Sequence, residues 1–583
     1  MSQGAFPSIA SLRPIRFGVL CDGPKIPTWQ ARSIEELRRV PGTSLALIVF
    51  PADKLPDGSR PTSLLFRAYV ASHPPRALRP VDMALAFQGI PSLRCQTTTQ
   101  DGFTHRYDES DVRRIRAYEL DFLLQCGFGI LDGEILHAAR YGAWSFQHDD
   151  ELPYRGISPC LWPIYDGDAV TVMVLRRSAG GVDNGIALRN GYFRTALHSL
   201  RQNVDEVHFG VVGWPANVCQ DLRLGQTAYL EGPSSPTPLA PSRIPSNRQM
   251  MRFLVRQTRH AVHRVARALV RHEQWCIGVA DVPINRFLES RGEKRVRWLH
   301  PPERGRFIAD PFGAQIDGVT HILYEDFRYA TSKGVIGTVE ATASGPPRIP
   351  RVAIELPVHA SYPYLVVDRG EIYCIPETNE SREIGLHRAV DFPTRWEKIG
   401  TLVSGVAALD PTVFRHEGRW WLTCTDREVG ENMPLFVWHA RNLEGPWEPH
   451  ALNPVKADIR SSRPAGTPFV DGGILYRPAQ DCSRMYGGGI VINRVVHLTP
   501  TEFMEEPAAT IEPFSESPFP DGIHTLSGVG DITLIDSKRH RFVPSAIPYV
   551  LRNRPVPRRD RAMPHLIERT FAAPQTDKPA RGA

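Results

Sequence analysis

The run Leu409-Asp-Pro-Thr-Val-Phe-Arg-His-Glu-Gly-Arg-Trp-Trp-Leu-Thr423 decides how the C-terminal half is read. A proline opens an apolar stretch, a glycine follows seven positions later, and a second apolar stretch comes behind it. That is the pattern of two strands joined by a tight turn. The unit recurs: Pro311, Pro363, Pro411 and Pro464 stand 52, 48 and 53 residues apart, and Gly318, Gly370, Gly418 and Gly472 follow them. The flanking stretches read Pro311-Phe-Gly-Ala-Gln-Ile316 with Thr320-His-Ile-Leu-Tyr324, and Tyr364-Leu-Val-Val367 with Glu371-Ile-Tyr-Cys-Ile375. A weaker fifth copy, Gly530-Asp-Ile-Thr-Leu-Ile-Asp-Ser-Lys538, lacks the proline. A period near 50 residues with several strands per unit marks a β-propeller, here of five blades. The proline suits the mouth of an innermost strand, where its missing N–H needs no ladder partner. Asp310 and Asp410 each precede a repeat proline, which predicts extended backbone for both at the rim of a central channel.

Working outward, the N-terminal half has a different grammar. Arg16–Leu20, Ser44–Phe50, Leu120–Cys126, Gly142–His148 and Val170–Arg176 read as strands, two of them continuous apolar runs suited to a sheet buried on both faces. Helical stretches are expected around Ile34–Arg39 and within Gly127–Ala139. Strands alternating with helices predict a doubly wound α/β domain. The reading therefore divides the chain into an N-terminal segment (1–13), an α/β domain (14–230), a Pro/Ser-rich linker (231–247), a connecting helix (248–273), the propeller (274–550) and a tail expected to be disordered (551–583). The helix is rich in Arg and His, with Met251, Leu254, Val262, Val265 and Leu269 at helical spacing. These apolar positions are read as packing between domains rather than as a membrane or nucleic-acid surface.

The 583 residues exceed what one core serves. A net charge of +6 falls short of a nucleic-acid footprint but suits anionic ligands. No apolar run is long enough to span a bilayer, and Met1–Arg16 shows no leader pattern. Nine cysteines without a CxxC pair argue against a disulfide framework or a structural zinc site, so a reducing cytoplasm and no metal are expected. The oligomeric state is left open.

Chemistry in the first domain centres on His148, with Pro153-Tyr-Arg-Gly156 behind it and Val182-Asp-Asn-Gly185 downstream. His148 and Asp183 are 35 residues apart, and the stretch 14–230 resembles the catalytic domain of 10-formyltetrahydrofolate-dependent formyltransferases, which include the methionyl-tRNA and amino-sugar enzymes. The resemblance implies a histidine base, His148, oriented by Asp183 for formyl transfer to an amine, with 10-formyltetrahydrofolate as donor. It further implies cofactor contacts at Gln147, Leu152, Pro153, Arg155 and Gly156. The family's oxyanion-binding asparagine is replaced by Phe146, and a one-residue bulge in the strand would bring Ser145 into its place.

In the propeller, Asp310 and Asp410 stand where arabinanase/levansucrase-like propellers gather acids. The fourth unit reads Ser462-Arg-Pro-Ala-Gly466, with no acid to serve a leaving group, and Glu377 is the candidate substitute. Residues 275–506 resemble the propeller of glucosamine inositolphosphorylceramide transferases, through Ala309-Asp-Pro-Phe312, Ser361-Tyr-Pro-Tyr364, Pro376-Glu-Thr378, Arg463-Pro-Ala-Gly466 and Tyr476-Arg-Pro-Ala-Gln-Asp-Cys482. A sugar-binding channel lined by Asp310, Glu377, Asp410, Arg463, Arg477 and Asp481 is expected, with Arg–Asp pairing between blades as the competing reading. The expected activity is formyl transfer to an amino sugar or sugar nucleotide, with the propeller holding the glycan. The alternatives are a non-catalytic carbohydrate binder and a glycan-processing enzyme using the propeller carboxylates.

Overall fold

The structure, a computed structural model, describes residues 13–53, 63–100, 104–128, 130–147, 160–178, 185–231, 245–289, 294–341 and 351–552. The chain forms two compact units, Met1–Ala261 and Val262–Ala583.

The first unit is built on one seven-stranded sheet. Its principal strands are β1 (Ile15–Leu20), β2 (Thr43–Pro51), β3 (Ser92–Cys95), β4 (Phe122–Gln125), β5 (Ala143–Gln147), β6 (Val170–Ser178) and β7 (Gly185–Arg194). They lie in the order β7-β6-β5-β4-β1-β2-β3. β1 to β5 are parallel to their neighbours, and β6 and β7 add an antiparallel edge. Helices α1 (Thr28–Arg39), α2 (Leu64–Ser72), α3 (Glu109–Arg116), α4 (Leu200–Gly210) and α5 (Trp214–Arg223) belong to the same unit. Val19, Leu47, Val49, Leu123 and Leu124 are buried almost completely, as parallel strands covered on both faces require. Two local expectations fail. Glu134–His137 is a single 3-10 turn rather than an α-helix. β5 pairs with β6 in unbroken register from Ala143 to Gln147, so no bulge displaces Ser145.

Helix α6 (Asn247–Val270) follows, with Met250 and Phe253 as its buried residues. Phe253 packs edge-on against Tyr69 of α2, and Tyr69 Oη donates to Gln257 Oε1 at 2.9 Å.

The second unit is five antiparallel sheets. In chain order the strands are β8 (His272–Ala280), β9 (Val296–Trp298), β10 (Arg306–Ile316), β11 (Val319–Arg328), β12 (Lys333–Ala341), β13 (Arg351–Ile354), β14 (Ser361–Asp368), β15 (Glu371–Glu377), β16 (Glu383–Asp391), β17 (Arg395–Ser404), β18 (Ala408–His416), β19 (Arg419–Asp426), β20 (Pro434–Ala440), β21 (Glu448–Pro449), β22 (Phe469–Asp471), β23 (Ile474–Gln480), β24 (Ile490–Leu498), β25 (Phe503–Ile511), β26 (Leu526–Val529) and β27 (Ile532–Arg541). Blades one to four are β10–β13, β14–β17, β18–β21 and β22–β25. The fifth is composite, β26-β27-β8-β9, so the first strand of the unit pairs with the last. That pairing runs from His272↔Arg541 to Ala280↔Thr533 and closes the ring. Closure leaves no open edge between first and last blade.

The repeat glycines do what the sequence implies. Asp317-Gly318, Arg369-Gly370, Glu417-Gly418 and Gly472-Gly473 all have positive φ at both residues, the requirement of a type I′ hairpin turn. The repeat prolines 311, 363 and 411 fall in gaps of the inner-strand ladder, between Ala309 and Phe312, Ser361 and Tyr364, and Leu409 and Thr412. Here one expectation is corrected. Asp310, Tyr362 and Asp410 are not extended: their φ values are 52°, 44° and 52°. Each gap is a bulge, and the bulge rather than the local pre-proline preference sets the backbone. Such left-handed conformations in non-glycine residues cost about 1–3 kcal/mol each and persist where surrounding structure over-determines them.

Candidate functional site in the propeller channel

The surroundings of those three bulges explain why the strain is held. Asp310 N–H donates to Asp536 Oδ2 at 2.9 Å, and Asp410 N–H donates to Glu377 Oε2 at 2.8 Å. In each case a carboxylate from the preceding blade's second strand takes the N–H that the bulge removes from the ladder. Tyr362 is fully buried, exchanges a 2.9 Å hydrogen bond with Thr412 Oγ1 and accepts the Gly466 N–H at 2.7 Å. It ties blades two, three and four together, which explains a tyrosine where blades one and three carry aspartate.

Above this framework lies a cavity of about 350 Å³, within the ordinary range of small-ligand sites. Asp310, Glu325, Glu377, Asp410, Arg463 and His524 line it, together with the rings of Trp275, Tyr486, Phe307, Phe327, Tyr329 and Tyr549. Trp275 stacks on His524 with ring centroids 3.8 Å apart, and Arg463 lies over the Tyr486 ring at 4.9 Å.

The acids divide into engaged and open groups. Asp410 receives Arg463 Nε at 2.5 Å and Nη2 at 3.2 Å, and Gln480 Nε2 at 2.7 Å. Burial pushes its carboxyl up to about 6 against the pull of Arg463. Glu377 spends Oε2 on Asp410 N–H and Oε1 on Asn379 Nδ2, so it does not supply the missing fourth-blade acid. Asp536 accepts the N–H groups of Asp310, His524 and Thr525, and pairs with His524 Nδ1 at 2.7 Å.

Asp310 and Glu325 differ. Asp310 Oδ1 takes the Thr525 hydroxyl at 3.0 Å, while Oδ2 takes no hydrogen bond from the described residues. Burial pushes its carboxyl up to about 7, the charges of Asp536 and Asp410 adding to the rise and His524 opposing it. Glu325, on β11, has His359 Nε2 as its nearest cation-forming neighbour, at 3.6 Å. His359 Nδ1 accepts the Gly334 N–H, and burial lowers its imidazole to about 4, which keeps it neutral. Burial first, then the charges of Asp310 and Glu377, hold Glu325 well above the usual carboxylate range. For His524, burial favours the neutral ring, but Asp536 and Asp310 outweigh it and raise the pKa. The cavity thus holds Glu325, held well above the usual carboxylate range, beside Asp310, raised to about 7. That is the separation acid–base chemistry needs. The ligand atoms of Asp310, His524 and Asp536 lie within 4.8 Å of one another, a spacing compatible with a metal ion. Their mutual hydrogen bonds make the trio a connected polar network.

Four of the six residues read as channel-lining meet here: Asp310, Glu377, Asp410 and Arg463. The other two do not. Arg477 is buried inside blade four, bonded to Glu505 through Nε at 2.9 Å and Nη2 at 2.6 Å, and to the Ser461 and Ser462 carbonyls. Asp481 caps a turn by accepting the Ser483 N–H at 2.9 Å. Pairing between blades is realised as Arg463–Asp410, whereas Arg477 pairs with Glu505 within its own blade. In the first unit, His148, Leu152, Pro153, Arg155, Gly156 and Asp183 lie outside the described residues. Ser145 is buried on β5, with Gln147 Nε2 at 3.5 Å from its hydroxyl, and Phe146 packs on Trp29. Glu325, His524, Trp275 and Tyr486 were not singled out from the sequence. Glu325 was within reach, because it and Glu377 both follow their repeat proline by 14 residues.

A family match falls on the same half. Residues 301–515 match the family described as "Glucosamine inositolphosphorylceramide transferase 1, N-terminal". The proteins of that name from Oryza sativa subsp. japonica and Arabidopsis thaliana are both 32% identical, over 216 and 229 residues. These alignments cover 36% and 38% of this chain and 29% of each relative, so the chain spans under a third of their length. A methionyl-tRNA formyltransferase from Cyanothece sp. is 28% identical over 183 residues, 31% of this chain and 47% of that protein. Among solved structures, Zg3597, a family 117 glycoside hydrolase from Zobellia galactanivorans, covers 46% of this chain and 91% of its own at 14% identity and a TM-score of 0.31. These matches correct the expected activity. The stronger similarity is to transferases named for glucosamine and inositolphosphorylceramide, the formyltransferase likeness is weak, and formyl transfer from a folate is overturned.

Proposed function

We propose that the protein is a transferase acting on a sugar-bearing substrate held in the propeller cavity, with Asp310 and Glu325 as its proton-transfer pair. The observation that carries the reading is the division of the acids: three are committed to the framework, while Asp310 and Glu325 face the cavity with raised pKa values. In a single displacement at a sugar carbon, ionised Asp310 takes the proton of the attacking hydroxyl. Glu325, its carboxyl held well above the usual range, gives a proton to the departing oxygen. The aromatic walls suit the apolar faces of a sugar ring, and an ionised Asp310 favours an ammonium such as that of glucosamine. The relatives' name, with its glucosamine and inositolphosphoryl groups, supports the same substrate class.

The test combines calorimetric titration of the purified chain with glucosamine and inositol and a transfer assay across sugar nucleotides. Glu325→Gln is expected to keep ligand binding within a few-fold, Asp310→Asn to weaken glucosamine binding more than inositol binding, and both to lower turnover by roughly 10²–10⁴. Turnover that survives both substitutions would end the proposal.

A further inference from the structure

Helix α6 carries a feature that the cavity does not use. Met251, Val255, Val262, Val265 and Leu269 fall on one stripe of the helix, and all five are exposed, at 55%, 66%, 62%, 57% and 39%. The buried residues of the helix, Met250 and Phe253, lie on another face. Apolar side chains aligned in this way along an exposed helix face mark a surface that meets something apolar.

The charge of the helix says what kind. From Arg248 to Arg271 the chain has seven arginines and no aspartate or glutamate. Helical geometry sets Arg248, Arg252 and Arg259 along one margin of the apolar stripe. An apolar stripe bordered by cations is the arrangement that lies in a bilayer interface: the stripe enters the acyl boundary and the guanidinium groups meet lipid phosphates. Nucleic acid would use the arginines and leave the stripe unsatisfied. No described helix is long and apolar enough to cross a membrane, so the contact is peripheral. Ala268 and Arg271, at and just past the C-terminal end of the helix, line the propeller cavity.

We infer that helix α6 docks the protein on an anionic phospholipid membrane, with the apolar stripe inserted at the headgroup level. This goes beyond the proposed transfer chemistry and does not depend on it.

The full chain is sedimented with phosphatidylcholine vesicles, with and without phosphatidylglycerol. Expected is roughly tenfold or more enrichment on the phosphatidylglycerol vesicles, weakening as salt is raised. Val262→Asp/Val265→Asp should abolish that enrichment with an unchanged thermal midpoint. Met251→Asp/Val255→Asp should do the same, and provides the answer if the first pair unfolds. Arg248→Gln/Arg252→Gln should weaken it and flatten its salt dependence. Three results overturn the inference. One is equal sedimentation with both vesicle types. Another is salt-sensitive RNA retention that ignores the valine substitutions, which makes the helix a nucleic-acid surface. The third is a dimer broken by Val262→Asp/Val265→Asp without vesicle binding, which makes the occupant a second copy.

Discussion

Two buried acidic clusters in the propeller use the same residue types to opposite ends. Inside blade four, Glu505 accepts Arg477 through both oxygens and Lys456 Nζ at 2.8 Å. Burial works against its charge, yet Arg477 and Lys456 outweigh it and bring the carboxyl down to about 2. In the channel, Asp310 is also buried, but its one cation-forming neighbour among the described residues, His524, is 3.8 Å away and already held by Asp536. Its carboxyl rises to about 7. Burial alone therefore does not decide whether a carboxylate is structural. The decision lies in whether donors saturate its oxygens: saturated, it fastens a blade; left open, it keeps a proton to exchange.

The largest test of that contrast is stability. Arg477→Ala leaves Glu505 buried with a single cation and strands two carbonyls, at an expected cost of about 3–5 kcal/mol in chemical denaturation. Asp310→Asn keeps the shape, removes an uncompensated charge, and is expected to be neutral or stabilising at pH 7. Were Asp310→Asn to cost as much as Arg477→Ala, Asp310 would belong with the framework and the open-acid argument would fail.

The next effect separates the two clusters by pH. Glu505 ionises more readily folded than unfolded. Its contribution is complete above its ordinary pKa of 4.5 and is lost as pH falls toward about 2. Asp310 is the reverse. Its folded pKa of about 7 exceeds the unfolded 3.8, so native protein binds the extra proton between those values and stability falls as pH rises through them. His524, Asp410 and Glu325 are coupled to the same group, so the informative quantity is the difference between wild type and Asp310→Asn. That difference should grow in favour of the variant from pH 4 to pH 7, by on the order of 1–3 kcal/mol, and stay level above it. A flat difference across this range would mean that Asp310 ionises normally.

Much of this organisation is legible in the sequence. The proline–glycine register gives the blades because both residues act locally: one vacates a ladder position, the other turns the hairpin. Asp310, Asp410 and Arg463 were found because they sit beside those markers. What local rules missed depends on ring closure. Glu325 lies in Ile322-Leu-Tyr-Glu-Asp-Phe327, which reads as an ordinary strand, and its burial exists only once blades one and two face each other. His524 precedes a strand without a proline. The left-handed φ of Asp310 contradicts the local preference because Asp536, 226 residues away, holds its N–H. The apolar residues of α6 mark the same limit: helical spacing gives a face, but not the partner that covers it.

The smallest effect concerns Asp481. It was read as channel-lining from its place in Tyr476-Arg-Pro-Ala-Gln-Asp-Cys482, where its neighbour Gln480 is the residue that reaches Asp410. Strand alternation turns neighbours to opposite sides. The carboxylate of Asp481 caps its own turn at Ser483 and is only partly buried. Asp481→Ala should therefore cost about 0.5–1.5 kcal/mol, the worth of one such hydrogen bond, and leave sugar binding unchanged within error in the same calorimetric titration. Gln480→Ala, one residue away, removes a donor from Asp410 and should weaken ligand binding measurably. If the two substitutions weaken binding equally, the channel extends past Gln480 and the boundary drawn between engaged and open acids must include Asp481.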